Sequence, residues 1–182
     1  AALEVYSGKI ILSSVTGEAG KMERVLSLAK RHGAAIVALT MDDEGIPSDP
    51  EARLAIARRI VERADTLGIP REDVIVDCAC MTVSTDSRAA LVALEAVRLV
   101  RDHLGCNLTL GASNVSYGLP ERKTINAAFL PMAIAAGVNC PIVDPTVPEI
   151  ARAILAADLL LGKDEYAMNY IRAYRARQAA TA

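Results

Sequence analysis

Five short aliphatic runs, at residues 9–12, 34–39, 73–76, 106–110 and 139–143, alternate with stretches whose apolar residues recur at helical spacing. Each run is too short for an amphipathic helix, and its near-continuous apolarity suits a strand buried on both faces. Strand and helix alternating at roughly 25–40 residues per unit is the pattern of βαβ units around a parallel sheet. The helical stretches carry their own punctuation. The first places Met22, Val25, Leu26 and Ala29 on one stripe and ends at Gly33. The second opens on Ser48-Asp-Pro-Glu51, a capping box with proline in the first turn, and stops at Gly68. A third is expected from about Thr85 to Leu104, a fourth after Pro120 up to Gly137, and a fifth from the capping box Thr146-Val-Pro-Glu149 to Gly162. A last amphipathic helix follows Asp164, and its Tyr166, Tyr170, Ile171 and Tyr174 are expected to close the bottom or side of the fold. No linker or low-complexity tract divides the 182 residues, so residues 1–182 read as one domain.

Charge narrows the partners. Twenty Lys and Arg against 22 Asp and Glu leave a net charge of −2, without the basic footprint a polyphosphate needs. With no Trp and one Phe, stacking platforms for single-stranded nucleic acid are lacking too. No stretch of about 20 apolar residues could span a bilayer. Residues 1–9 show neither a basic n-region nor an apolar core, so no signal peptide is read there and a cytoplasmic location is expected. Cys78 and Cys80 share one face of a strand and are read as buried structural thiols. Zinc spacing is absent among the four cysteines, so no metal site is expected.

Two parallel architectures compete. A doubly wound sheet usually opens with a glycine-rich phosphate turn, and no G-x-G-x-x-G begins any helix here. A (β/α)8 barrel collects polar residues at the C-terminal ends of its strands. This chain repeats that placement with Ser13-Ser14, Asp42-Asp43, Asp77, Ser113-Asn114 and Asp144, so the TIM-barrel type is favoured. Eight units need about 250 residues, whereas five strands are counted. The chain reads as a barrel lacking its first three βα units, starting from a helix tail at residues 2–6. An open barrel exposes parallel edge strands, which predicts a homodimer or retention of the missing half.

The most informative stretch is Gly111-Ala-Ser-Asn-Val-Ser-Tyr-Gly-Leu-Pro120, followed by Arg122, Asn126 and Phe129. It leaves a buried strand and enters a helix, dense in amides and hydroxyls. A well-capped βα turn explains one or two such residues; the cluster as a whole suits a binding site at the active face of a barrel.

This stretch closely resembles the signature of the pterin-binding methyltransferases. These include methyltetrahydrofolate:corrinoid/iron-sulfur protein methyltransferases and the folate domain of cobalamin-dependent methionine synthase. Ile11-Leu-Ser-Ser-Val-Thr-Gly-Glu18 is similar to the family's fourth strand and loop, and His32-Gly-Ala-Ala-Ile-Val-Ala-Leu-Thr-Met41 to its fifth. Asp77 falls at the end of the sixth, and Cys140-Pro-Ile-Val-Asp-Pro145 at the eighth. The resemblance implies a (β/α)8 barrel of dihydropteroate synthase-like type. It also implies methyl transfer between N5 of methyltetrahydrofolate or tetrahydrofolate and the cobalt of a corrinoid (cobalamin) carried by a partner protein. On it, Asn114 hydrogen-bonds near N5 as the catalytic residue, and Asp77 accepts from the amino-pyrimidine edge of the pterin. Gly111, Ser113 and Ser116 line the pocket, and Arg122 meets corrinoid or folate carboxylates. Ser13 and Asp144 complete the implied substrate-binding set.

Three departures from the family pattern stand out. Ser13 occupies a place where the family commonly has asparagine, an aspartate from an earlier strand falls outside this chain, and Pro131 sits inside the helix after the signature, where it should kink it. A dihydropteroate synthase would resemble Gly-x-Ser-Arg-Lys at the signature turn. Asn114 and Val115 stand there instead, and no Lys follows them before Lys123, which leaves that reading second. A non-catalytic pterin-binding fragment is the third. His32 and His103 are read as helix C-terminal residues. The acidic run Asp42-Asp43-Glu44 is read either as pocket-facing or as a solvated loop.

Overall fold

The computed structural model describes residues 2–181. A short helix, α1 (Ala2–Val5), leads into β1 (Ile11–Val15), followed by α2 (Ala19–His32), β2 (Ala35–Leu39), α3 (Pro50–Thr66), β3 (Val74–Asp77), α4 (Ala89–Leu104) and β4 (Asn107–Thr109). A 3-10 turn over Ala112–Ser116 then enters α5 (Arg122–Ala136), and α6 (Pro148–Leu160) and α7 (Met168–Thr181) complete the chain. The four strands form one parallel sheet in the order β1-β2-β3-β4. Sequential neighbours joined by helices are what a succession of βαβ units produces. The architecture is thus α/β with the strand order of part of a barrel.

Register assigns the faces. Ile36, Ala38, Val74, Val76 and Leu108 point to the helices and are fully or almost fully buried, against Leu26, Ile60, Val61, Val97 and Val100. Burying each of the Val, Leu and Ile side chains contributes about 1.5–3 kcal/mol, so this layer holds the sheet in shape. The opposite face carries Ser13, Val37, Ile75 and Asn107 in one row and Leu39, Asp77 and Thr109 in the next. Helix ends follow the expected glycines where space demands them. Gly33 takes the left-handed conformation (φ 60°) and donates to the last carbonyls of α2.

The expected fifth strand does not form. Residues 139–143 make a single parallel bridge, Gly111 to Ile142, instead of a ladder. Pro141 has no N–H to donate, and Asn139 substitutes its own side chain. Its Oδ1 accepts from the Leu108 N–H at 2.9 Å, while its Nδ2 donates to Asn107 Oδ1 at 3.0 Å. Helix starts also shift. The cap of α3 is Asp49, accepting from Ala52 N–H, rather than Ser48. Helix α4 begins at Ala89 instead of near Thr85, because Thr82 and Ser84 are drawn into bonds with the signature turn. At α6 the Thr146 hydroxyl donates to Asp144, so no side chain caps that helix. Helix α5 continues through Pro131 as one element.

The terminal helix leaves its apolar residues uncovered among the described residues. It packs against α6 and its preceding turn, and Tyr166, Met168, Ile171 and Tyr174 remain exposed. Asp164 anchors it by accepting from the Asn169 and Tyr170 N–H groups at 2.9 Å each. Cys78, Cys80 and Cys106 are buried, as read for the first two; Cys140 is exposed.

Candidate functional site

Asp77 ends β3, where its carboxylate belongs to the row of residues facing away from the helices. Oδ1 accepts from the Ala79 N–H at 2.8 Å, an Asx-type closure, and Ala79 itself takes φ +51°. Burial pushes the Asp77 carboxyl above its usual range, and the Ala79 bond partly offsets it. A half-buried carboxylate with one engaged oxygen retains acceptor capacity for a ligand.

One strand over, the chain leaves β4 at Gly111 and turns at once. The Asn114 N–H returns to the Gly111 carbonyl at 3.1 Å, and the Asn114 carboxamide lies back over Gly111. A Cβ at position 111 would stand 3.0 Å from Asn114 Nδ2, so glycine is what lets the carboxamide rest there. Asn114 is exposed, in the turn at the C-terminal end of the sheet, the end that carries Asp77. The two loops are joined. Val83 N–H donates to the Val115 carbonyl at 3.0 Å, and the Thr82 and Ser84 hydroxyls donate to the Tyr117 carbonyl at 2.6 and 3.0 Å.

The remaining expected residues divide. Gly111 and Ser113 lie in the turn itself. Ser116 does not line an open pocket. It is fully buried, with Oγ bonded to Asn126 Oδ1 at 2.7 Å and accepting from Arg122 Nε at 3.1 Å. Arg122 is likewise engaged internally. Its Nη2 donates to the Ser113 carbonyl at 2.8 Å and its guanidinium lies 5.7 Å from the Tyr117 ring centre, so it braces the turn. Ser13 is exposed on β1, two strands from Asp77. Asp144 is exposed, and bonds from the Thr146 hydroxyl and N–H hold its carboxyl below the usual range. Of the acidic run, Asp42 accepts from Glu44 N–H and lies 3.6 Å from Arg59 Nη2, against α3. His103 Nδ1 sits 2.9 Å from the Leu99 carbonyl in the last turn of α4. No cluster of three or more metal-ligating side chains occurs among the described residues.

Reading the sequence missed Arg53, Thr82 and Ser84. Arg53 is 2% exposed. Its Nε donates to the Pro47 carbonyl at 2.7 Å, and its Nη1 to the Cys78 and Ala79 carbonyls at 2.9 and 2.7 Å. Thr82 and Ser84 look like helix-entry residues, and only their spacing after Asp77 could have flagged them.

A ring carrying adjacent N–H donors fits an acceptor such as Asp77. A carboxamide suits a ring nitrogen in either protonation state, because it both donates and accepts. The profile described as pterin binding enzyme matches residues 1–144, from α1 through Asp144. The chain belongs to the pterin-binding enzyme family. Among its curated relatives, it is 31% identical over 170 residues to a methylcorrinoid:tetrahydrofolate methyltransferase from Eubacterium limosum, covering 91% of this chain and 62% of that protein. It is 30% and 31% identical over 156 residues to the methionine synthases of Mycobacterium leprae and Mycobacterium tuberculosis, covering 79% of this chain and 13% of each. The chain therefore spans less than two thirds of the relatives it matches. It is homologous to methyltransferases of the pterin-binding family, as the signature resemblance implies. No helix among the described residues is long and apolar enough to cross a membrane.

Proposed function

We propose that this domain binds the pterin of tetrahydrofolate and serves methyl transfer between its N5 and the cobalt of a corrinoid held by a partner protein. The observation that carries this reading is the pairing of Asp77 with the Asn114 turn. They end adjacent parallel strands at one end of the sheet, on loops tied together through the Tyr117 and Val115 carbonyls. Kinship with a methylcorrinoid:tetrahydrofolate methyltransferase supports the substrate class.

Asp77 accepts two parallel hydrogen bonds from the amino-pyrimidine edge, which fixes the ring plane. The Ala79 N–H holds the carboxylate in the rotamer this needs. Asn114 reaches N5. In the direction away from the folate, the electron pair of the breaking N5–C bond stays on nitrogen, and a proton must arrive there. Proton help of this kind contributes about 10²–10⁴-fold. The carboxamide holds N5 through that change, donating to its lone pair before protonation and accepting from its N–H afterwards. The corrinoid supplies cobalt that gains or yields the methyl group.

Titration calorimetry with tetrahydrofolate, paired with methyl transfer from a methylated corrinoid protein, tests the reading. Asp77→Asn should weaken pterin binding, while Asn114→Ala should slow transfer with binding retained. Wild-type protein that binds no tetrahydrofolate would overturn it.

A further inference from the structure

Arg53 lies on α3, outside the strand-end loops, and yet it is almost wholly buried. Among the described residues it has no carboxylate partner. Its hydrogen bonds go to the main-chain carbonyls of Pro47, Cys78 and Ala79. A guanidinium is costly to remove from water without a counter-ion, and burial lowers its pKa accordingly. Such an arrangement holds main chain in a conformation that the main chain would otherwise leave. Two of the three carbonyls belong to the residues directly after Asp77. One of them, Ala79, has the left-handed φ of +51° that an alanine disfavours, and its N–H is the group that bonds Asp77 Oδ1.

We infer that Arg53 is a positioning residue for pterin recognition: by clamping the Cys78 and Ala79 carbonyls it keeps the Ala79 N–H on Asp77 and so presents the carboxylate to the ring. This rests on the reading of Asp77 given above, but its mechanical half does not need a ligand. Arg53 acts through the peptide rather than by charge, since no ion pair joins it to Asp77. The other titratable groups near Asp77 are the thiols of Cys78, Cys80 and Cys140. Burial pushes the first two up to about 12 and about 11 and raises the third, so all three stay neutral while the carboxyl titrates. Lysine cannot replace the clamp. Its single ammonium lacks the planar fork that reaches Pro47 on one side and residues 78–79 on the other.

The test combines Arg53→Met and Arg53→Lys with two readouts: the Asp77 carboxyl titration followed by carbon NMR without ligand, and the Kd for tetrahydrofolate. In folded Arg53→Met the Asp77 midpoint should move upward, because the carboxylate loses its N–H donor. The Kd should rise about tenfold or more, as for a lost charge-assisted bond, and turnover should suffer in KM rather than kcat. Arg53→Lys should move both readouts in the same direction by less. In an Asp77→Asn background, Arg53→Met should leave the Kd unchanged. An unmoved Asp77 midpoint in Arg53→Met, or in Arg53→Lys if the methionine variant does not fold, would overturn the inference. If the wild type bound no tetrahydrofolate, the reading of the site would fail, and the titration alone would still decide the role of Arg53.

Discussion

Two loops at the same end of the sheet invite comparison: residues 40–47 after β2, and residues 78–88 after β3. The first carries Asp42, Asp43 and Glu44 in a row; the second follows a single carboxylate, Asp77. By charge alone the first looks like the site. The proposed site lies at the second, and the hydrogen bonding of the two loops is the reason. Asp42 accepts from the Glu44 N–H, lies 3.6 Å from Arg59 Nη2 and closes a small turn with Gly45, so its carboxylate is engaged by its own loop and a neighbouring cation. Asp77 keeps an oxygen in reserve on a half-buried carboxylate, and its loop is tied to the turn that carries Asn114. Capacity to bind a ligand follows unsatisfied, oriented groups rather than the density of charge.

The comparison can be broken most forcefully at Asn114. Asn114→Ala should cut methyl transfer by about a hundredfold or more, in line with removal of one preorganised donor, and stopped-flow transfer assays check this. Next comes Asp77→Asn, which should weaken tetrahydrofolate binding by about 10–100-fold and abolish its pH dependence.

That dependence has a definite sign. Burial raises the Asp77 carboxyl, so the folded protein keeps the proton to higher pH than the unfolded chain does. Folding stability therefore falls as pH rises from the ordinary carboxylate value through the raised one. On the proposed reading pterin binding needs the anion, so it should strengthen over the same interval. Calorimetry from pH 4 to 8 should show binding lost on acidification above the ordinary carboxylate range, and a flat profile in Asp77→Asn.

Gly111→Ala sharpens the contrast at lower amplitude. A Cβ would press within 3.0 Å of Asn114 Nδ2 and push the carboxamide outward, so transfer should drop severalfold while thermal unfolding barely changes. Arg122→Met removes bonds to Ser116 and Ser113 and should cost about 1 kcal/mol in urea unfolding, with a smaller loss of transfer. Smallest of all, Asp42→Asn should change stability by less than about 0.5 kcal/mol and leave both binding and transfer unaltered. A large effect there would erase the distinction between the two loops.

Much of this was legible in residue order. The four strands, the helices between them and the glycine at the end of α2 follow from local periodicity and capping, which depend on neighbours in the chain. Asp77 and the signature turn stood out because strand ends and polar clusters are local features as well. The fifth strand was misread because its aliphatic run is cut by Pro141, and Asn139 turns its side chain to Leu108 and Asn107, 31 and 32 residues away. The terminal helix was misread for a related reason. Its apolar residues suit a covering role, but nothing in their spacing says whether a surface lies within reach.

Sequence by itself determined the alternation of strand and helix, the parallel sheet and the placing of Asp77 and Asn114 after neighbouring strands. Tertiary structure alone decided which polar groups remain free for a ligand. Arg53, Ser116, Arg122 and Asp42 all bond partners brought together by folding, some of them 25 residues or more away. Periodicity reports which face of an element is apolar, whereas hydrogen-bond satisfaction depends on which backbones meet when those faces pack.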